Sequence, residues 1–424
     1  MAGDVTTTPG PVIRALERIA AYAYIRAIRD GVIATLPITL IGSCFLLIAK
    51  PPHEGLASTV APYAEALLIP TKVLTGAISL YLCFAVAYAL AKIYELDPVS
   101  TALLAVAGFL VAMEPAALAA GGWGLGGHHL GSSGVAGALV IAILVVEGKR
   151  AFVRHDLLVI RLPPTVPEAV TRSFQLLIPS FVCIAIIWVV VHLLGVDLLG
   201  GAEQVAAPLR AHANSGWFVV VLVLAASSLW FVGIPSYSIL APLQPIWIAM
   251  ITENIQATAN GLPAQHLVTG EFLVFFVMMG GTGGALALGT LMLFARSRSL
   301  RKVARLGIVP SLFNIGEPIV FGTPVVLNRR LLVPFLLAPV INALVTWCAM
   351  SWDWVGKPIL QVPSTLPAPL GAFLCTGGDA RVFLLQLITL PVTALVWWPF
   401  LRAYDRAVAR AEAMPPIELS EPTP

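Results

Sequence analysis

The sequence predicts an all-α, polytopic membrane protein with about ten transmembrane helices and two re-entrant hairpins. First, 58% of its 424 residues are hydrophobic and 11% are charged, whereas a soluble domain usually carries about 25% charged residues. Second, the mean hydropathy is +0.90, and apolar runs long enough to cross a bilayer recur along the chain. These properties exclude an ordinary soluble domain.

The apolar runs that predict membrane crossings are separated by basic segments. With the N-terminus inside, the main Lys and Arg clusters fall on the cytoplasmic side, as the positive-inside rule requires. The charges therefore indicate orientation and predict no nucleic-acid surface. The predicted spans are 31–49, 72–92, 98–113, 134–148, 174–194, 216–235, 238–258, 268–295, 331–351 and 383–402. The basic clusters are Lys149, Arg150, Arg154 and Arg161; Arg296, Arg298, Arg301, Lys302 and Arg305; and Arg402, Arg406 and Arg410.

Three segments between or inside these spans carry polar or helix-breaking residues. The run 238–258 contains Glu253 and Asn254, and it is counted as a crossing because the next basic cluster would otherwise lie outside. Glu253 and Asn254 either line a pathway or bond a neighbouring helix. The runs 306–327 and 358–379 are rich in Pro and Gly and predict the two hairpins. Paired broken segments indicate a substrate site in transporters.

The strongest candidate site lies in the first hairpin, in the run from Asn314 to Pro318. Glu317 places a carboxylate in apolar chain, where an ionised group is costly unless it serves as a ligand or has a partner. Gly316 lacks a Cβ, and Pro318 disfavours the α conformation at Glu317, so we expect a helix break there and a buried carboxylate. The alternative for Glu317 is an ion pair with Arg329 or Arg330. Asn314 either contacts the substrate or caps a helix start.

The remaining polar and small-residue motifs predict structural roles. Gly280–Gly284 is interpreted as close helix packing, and Trp397 and Trp398 as interfacial anchors. His128 and His129 match no standard metal spacing, and the five cysteines show no C-x-x-C pair. No catalytic constellation is present, which predicts a transporter component without a cofactor or metal rather than an enzyme.

The chain ends and the centre predict segments outside the membrane. Residues 1–30 carry interleaved arginines, typical of a cytoplasmic amphipathic segment at the membrane surface. Residues 151–173 form a charged, proline-bearing cytoplasmic linker. Residues 403–424 are predicted to be a disordered cytoplasmic tail.

Several motifs then resemble one transporter family, the membrane IIC components of the bacterial phosphotransferase system, lactose/cellobiose (diacetylchitobiose) branch. The resemblance covers nearly the whole chain. The matching stretches, in order, are VIRLPPTVPEAVTRSF at 159–174, LWFVG at 229–233, GGTGG at 280–284 and NIGEPIVFG at 314–322.

The resemblance implies a sugar permease that works by alternating access in the bacterial inner membrane, with both termini in the cytoplasm. It implies an oligomerisation half of five spans, 31–150 plus 174–194, and a substrate-binding half, 216–402, in a homodimer. Separate IIA and IIB proteins would be partners, and IIB would carry out the phosphoryl transfer. Glu317 would accept hydrogen bonds from sugar hydroxyls, with Asn314 and Gly316 beside it in the substrate site.

The sequence departs from the family pattern at two positions. Pro235 stands where members commonly carry a sugar-contacting His, and Ser364 stands where cellobiose-type members tend to carry a stacking Trp. These departures leave two alternatives open. Beside the phosphorylation-coupled permease, the chain could be a IIC-like membrane sensor or regulatory module, or an uncoupled sugar facilitator that lacks phosphorylation.

Overall fold

The computed structural model describes residues 18, 21–51, 54–113, 115–117, 123–125, 129–155, 157 and 177–413. In these ranges the chain is built from α-helices and one short antiparallel hairpin, β1 (Pro115–Ala117) with β2 (Trp123–Leu125). The predicted all-α class is confirmed. The helices are α1 (Ala23–Ala49), α2 (Glu54–Val60), α3 (Ala64–Gly76), α4 (Ile78–Ile93), α5 (Pro98–Val111), α6 (Val135–Arg154), α7 (Leu177–Trp188), α8 (Leu198–Ala213), α9 (Gly216–Phe231), α10 (Ser236–Ile239), α11 (Gln244–Ala259), α12 (Ala285–Leu293), α13 (Arg298–Leu312), α14 (Glu317–Gly322), α15 (Leu332–Ser351), α16 (Ala368–Cys375) and α17 (Arg381–Glu412).

Three described helices are each long and apolar enough to cross a bilayer, namely α1, α15 and α17. α5 and α9 are apolar but shorter. The predicted span 72–92 is interrupted, because the chain bends by 43° between α3 and α4. Ala77 leaves helical geometry there, and the Ser79 amide donates to the Leu130 carbonyl.

Two helical regions were missed by the search for apolar runs. α2 and α3 fill 54–76, and α8 fills 198–213. α8 contains Glu203, Gln204 and Arg210 and has no fully apolar stretch of membrane length. Hydropathy alone detects helices that face lipid on most sides, so a half-polar helix stabilised by tertiary contacts escapes it.

The described chain divides into two compact units. The first comprises 1–215, 235–270 and 357–361, as far as the structure describes them. Its core is formed by residues of α1, α4, α5 and α6, such as Val86, Phe109 and Ile141, which are all 0% exposed. A Cβ on Gly31 would lie 2.9 Å from Val86 Cα, and one on Gly42 would lie 3.4 Å from Thr75. Residue numbers thus rise along α1 as they fall along α4 and α3, so these helices pack antiparallel.

The second unit comprises 216–234, 271–356 and 362–424, again within the described residues. Its core contains Ile319, Phe335 and Trp397, all 0% exposed. Trp397 was predicted to anchor at the membrane interface, and this is wrong. Its indole nitrogen donates to the Gly283 carbonyl at 2.9 Å inside the unit, and burying the ring removes a large apolar area from solvent.

The unit boundaries differ from the sequence-based division, which placed all of 216–402 in one half. Residues 235–270 and 357–361 pack with the first unit. Asn254 of α11 donates to the Pro358 carbonyl at 2.8 Å, and both residues belong to that unit.

The chain ends also differ from the predictions. α1 begins at Ala23, so 23–30 continue the first span and form no separate surface helix, while 1–17 and 19–20 lie outside the described residues. α17 continues to Glu412, so 403–412 are helical and were wrongly assigned to a disordered tail. Residues 414–424 lie outside the described residues, as do 158–173 of the predicted linker, whereas 151–154 complete α6.

Two carboxylates hold the last turns of α17 against the start of α13. Asp405 accepts hydrogen bonds from the Arg296 and Ser297 amides, both at 2.8 Å. Glu412 accepts from the Arg298 amide at 2.8 Å and from Ser297 Oγ at 2.7 Å. These contacts satisfy the free amides at the start of α13, which a helix leaves unpaired.

The basic residues that separate the predicted spans lie largely on helices. Lys149, Arg150 and Arg154 belong to α6, and Lys149 is 1% exposed and donates to Ser100 Oγ at 2.8 Å. The cluster from Arg298 to Arg305 forms the first half of α13. A helix accepts these side chains because long basic residues are good helix formers.

Candidate functional site: the helix break at residues 313–316

The predicted break in the first hairpin separates α13 from α14, and backbone hydrogen bonds terminate α13 there. Asn314 adopts φ +62°, the left-handed conformation that Asn tolerates better than most residues. The Ile315 amide donates to the Pro310 carbonyl, and the Asn314 amide to the Ser311 carbonyl, both at 3.1 Å. This pair of bonds is the Schellman motif, in which a left-handed residue ends a helix. Asn314 therefore closes the end of α13 with its backbone and does not cap a helix start.

The Asn314 side chain joins three parts of the second unit. Its Oδ1 accepts a hydrogen bond from the Gly280 amide at 3.1 Å. Its Nδ2 donates to the carbonyls of Ser364 and Leu366, at 2.8 and 2.7 Å. Both donors and one acceptor site of the amide are thereby used, so Asn314 positions the chain around the break.

The glycine-rich turn at 280–284 approaches the break closely. Gly280, Gly281, Gly283 and Gly284 all have positive φ, so this segment is a turn and not the packed helix that the sequence predicted. A Cβ on Gly281 would lie 2.4 Å from the Gly316 nitrogen. Only glycine allows both this conformation and this backbone contact. The turn also divides the predicted 268–295 span into a π-helical segment, Phe272–Val277, and α12.

Gly316 is buried and directly precedes α14, and a Cβ there would lie 2.9 Å from the Ala285 Cβ. The sequence predicts a helix break at Gly316, and the residue lies between α13 and α14. Its place beside a bound sugar stays a prediction.

Glu317 is the first residue of α14, and its side chain is exposed. Both predictions about its conformation and burial were therefore wrong. Pro318 occupies the second helical position, where a missing N–H costs no hydrogen bond, so helical geometry begins before the proline. Within the described part of the chain, no ion pair joins Glu317 to Arg329 or Arg330. The carboxylate is consequently free to accept hydrogen bonds from a ligand.

The segment tied to Asn314 adds a second polar edge. Ser364 and Thr365 are exposed. Asn314 fixes this segment by donating to the carbonyls of Ser364 and Leu366, on either side of Thr365. An exposed carboxylate next to a fixed break can bind hydroxyl groups, and each charge-assisted hydrogen bond contributes roughly 1.5–3 kcal/mol. Among the residues that the structure describes, no group of three or more His, Cys, Asp or Glu side chains is placed to bind a metal ion.

Pro235, the other predicted substrate-site residue, belongs to the first unit, whereas Glu317 belongs to the second. Pro235 directly precedes α10 with φ −58° and ψ 118°. Its ring carries neither a proton donor nor a proton acceptor.

Glu253 and Asn254 belong to a polar network in the first unit. Asn254, which is 1% exposed, accepts from the Gln265 and His266 amides at 3.0 Å and donates to the His266 and Pro358 carbonyls at 2.7 and 2.8 Å. Glu253 pairs with His266 and, at 3.4 Å, with Arg210, which also pairs with Glu203. Of the two sequence alternatives, bonding to neighbouring segments is the one observed. The sequence did not predict that His266 and Arg210 belong to this network, because neither residue is close to Glu253 in a recognisable motif and the contacts form only on folding.

The fold and the break define a class: a multi-pass helical membrane protein in which interrupted helices hold a polar group, as transporters do. The family model described as "Phosphotransferase system, EIIC" matches residues 29–339. The chain belongs to this family, the sugar-permease components of the phosphotransferase system, and the sequence resemblance is confirmed.

Relatives and a solved structure support the same assignment. The cellobiose-specific EIIC component of Geobacillus stearothermophilus is 32% identical over 425 residues, with 94% of each chain covered. The lactose-specific EIICB component of Streptococcus mutans serotype c (strain ATCC 700610 / UA159) is 30% identical over 94% of this chain and 72% of the relative. The crystal structure of the transporter ChbC, the IIC component from the N,N'-diacetylchitobiose-specific phosphotransferase system, superimposes with a TM-score of 0.88 at 31% identity. It covers 96% of this chain and 99% of that one.

Proposed function

We propose that this chain binds a mono- or disaccharide through the Glu317 carboxylate and carries it inward across the bacterial inner membrane by alternating access. In this proposal both termini lie in the cytoplasm, the permease is a homodimer, and the first unit holds the dimer contacts. The observation that carries the sugar site is the exposed Glu317 beside the break that Asn314 holds, a carboxylate with no ion-pair partner among the residues that the structure describes.

The cargo we propose is a β-linked disaccharide. The relatives and the solved structure carry cellobiose, lactose and N,N'-diacetylchitobiose in their names, and these sugars share a β(1→4) bond. Such a sugar presents ring hydroxyls on both sides of the linkage, which suits a carboxylate acceptor with polar neighbours at Ser364 and Thr365.

The partners we propose are a phosphorylated IIB protein, which would phosphorylate the sugar at the cytoplasmic mouth, and a IIA protein that supplies IIB. The name of the Streptococcus mutans relative joins components C and B in one polypeptide. This supports a IIB partner for the present chain.

The test of the sugar site is the melting temperature of the detergent-purified protein against a panel of mono- and disaccharides. Glu317→Gln keeps the size of the side chain and removes its charge, and Glu65→Gln, at an exposed site in α3, is the matched control. A sugar at about 100 times its Kd stabilises by roughly 2.7 kcal/mol. We expect this shift in the wild type and in Glu65→Gln but not in Glu317→Gln. An equal shift in Glu317→Gln would exclude the Glu317 site.

A second candidate function, an uncoupled facilitator, is favoured by one observation: Pro235 has no titratable group where family members commonly carry a His. Uptake in cells that lack the general phosphotransferase proteins separates the two functions. A coupled permease loses sugar accumulation in these cells, whereas a facilitator still equilibrates the sugar. Pro235→His is the informative variant, because it would confer dependence on the general proteins only if the native chain is uncoupled.

A third reading, a IIC-like sensor or regulatory module, predicts a different result in the same assays. A sensor would bind a ligand in the melting experiment and would transport no sugar in either type of cell.

A further inference from the structure

A groove of about 840 Å³ lies between α1 and α4 in the first unit. α1 contributes Arg26, Ala34 and Ile38 to its wall, and α4 contributes Phe84 and Lys92. The wall is aromatic and aliphatic along most of its length. The two basic residues lie at the same end of the groove, Arg26 near the start of α1 and Lys92 near the end of α4. The groove lies entirely within one compact unit.

The length of the groove follows from the antiparallel packing of α1 and α4. Arg26 of α1 lies level with the end of α4 that carries Lys92, and Ile38 lies level with the end that carries Tyr81. At 1.5 Å per residue, the groove extends roughly 18 Å along α1. The hydrocarbon of one bilayer leaflet is about 15 Å deep, so the groove is long enough to cover one leaflet and its headgroup boundary.

The basic end of the groove has a net positive charge. Asp30 also lines the groove, but Arg29 neutralises it with Nε and a terminal nitrogen at 2.9 and 2.8 Å from Oδ1. The Arg26 and Lys92 side chains are exposed and have no ion-pair partner among the residues that the structure describes. Two such cations at a membrane boundary attract an anion.

We propose that this groove binds one anionic phospholipid of the cytoplasmic leaflet, with the phosphate between Arg26 and Lys92 and an acyl chain along Ala34, Ile38 and Phe84. A phospholipid matches the groove in length, in its apolar body and in the sign of its charged end. The site is separate from the sugar site proposed at Glu317, so either proposal can fail without the other.

The experiment is native mass spectrometry of the full chain in detergent, with phosphatidylglycerol and phosphatidylcholine of identical acyl chains. Arg26→Gln combined with Lys92→Gln removes the proposed headgroup contacts. The matched control is Lys72→Gln combined with Arg154→Gln, which removes two exposed basic residues of the same unit that do not line the groove. Ala34→Trp fills the groove itself, and its control is Ile33→Trp, at an exposed neighbouring position outside the wall.

We expect phosphatidylglycerol to bind the wild type roughly thirtyfold more tightly than phosphatidylcholine, which corresponds to about 1 kcal/mol for each of two basic side chains. The Arg26/Lys92 variant should lose this preference, and the Lys72/Arg154 control should keep it. Ala34→Trp should weaken the binding of both lipids, whereas Ile33→Trp should not.

Equal lipid preference in the two charge variants would overturn the proposal. So would a loss of dimer mass in Ala34→Trp with lipid binding intact, since the groove would then be an interface between two copies of the chain. If Ala34→Trp does not fold, the comparison of the two charge variants alone still decides the question.

Discussion

Asn314 and Leu366 are joined by a hydrogen bond of 2.7 Å, which the side-chain Nδ2 of Asn314 donates to the Leu366 carbonyl. The two residues are 52 positions apart, and the bond fixes the segment before α16 against the break between α13 and α14. Because Glu317 follows this break by one residue of chain, the position of its carboxylate depends on the contact.

Replacing Asn314 should loosen the break. Asn314→Ala removes three side-chain hydrogen bonds. It also places alanine at φ +62°, and alanine tolerates this left-handed backbone conformation less well than Asn does. We expect a loss of about 1–3 kcal/mol in the free energy of unfolding, seen as a lower melting temperature. Labelling of a cysteine introduced at Thr365 should become faster.

Asn314→Asp is the informative control for that change. It keeps an acceptor for the Gly280 amide and the tolerance for left-handed geometry, but it loses both donors to Ser364 and Leu366. It should therefore release the Thr365 segment nearly as much as Asn314→Ala does. Unchanged labelling in both variants would contradict the anchoring role.

Gly281 should tolerate no side chain. Its φ is +105°, and an added Cβ would lie 2.4 Å from the Gly316 nitrogen. We expect Gly281→Ala to lower the melting temperature sharply, by the equivalent of more than about 2 kcal/mol, because strain and a backbone clash combine. Gly201→Ala is the control, since nothing lies within 4 Å of that Cβ and the site is helical. That substitution should be neutral or stabilising, by up to about 1 kcal/mol. Similar effects of the two substitutions would contradict the close approach.

Asp405 should contribute to the stability of the second unit. Asp405 is 7% exposed, and its carboxylate accepts from the Arg296 and Ser297 amides. Asp405→Ala therefore leaves both donors without this partner, and the Ser297 amide is in a buried environment. We expect a loss of about 1–3 kcal/mol in thermal or denaturant unfolding. Glu412→Gln, at an exposed position with related contacts, should lower the free energy of unfolding less than Asp405→Ala does, because solvent screens its charge. If the two variants were equally mild, the end of α17 would not be held as the structure shows.

Asn254 should be among the most sensitive polar positions in the first unit. Asn254→Ala removes four hydrogen bonds at a residue that is 1% exposed. We expect a loss of about 2–5 kcal/mol or failure to fold, because several backbone groups lose their partners at once. Asn254→Asp retains the acceptor for two amides and should be intermediate. Hydrogen exchange at the Gln265 and His266 amides provides a local readout in any variant that folds.

The sequence by itself determined the class and the place of the break. Composition and apolar runs determined a multi-pass helical protein, because a chain so poor in charge is stable only where lipid or protein covers it. Gly316 and Pro318 predicted the place of the break, because their stereochemistry is local. The break itself forms because the left-handed Asn314 ends α13, and α14 begins at Glu317, before the proline.

Only the tertiary structure decided what the break does. The exposure of Glu317, the burial of Trp397 and the helical end at Glu412 depend on contacts between residues far apart in the chain. Gly280, Asn314 and Leu366 meet across such distances, and no local pattern records which donor will face which carbonyl. Hydrophobic periodicity constrains which faces are buried, whereas the pairing of polar groups is settled only when the packed helices bring them within hydrogen-bond distance.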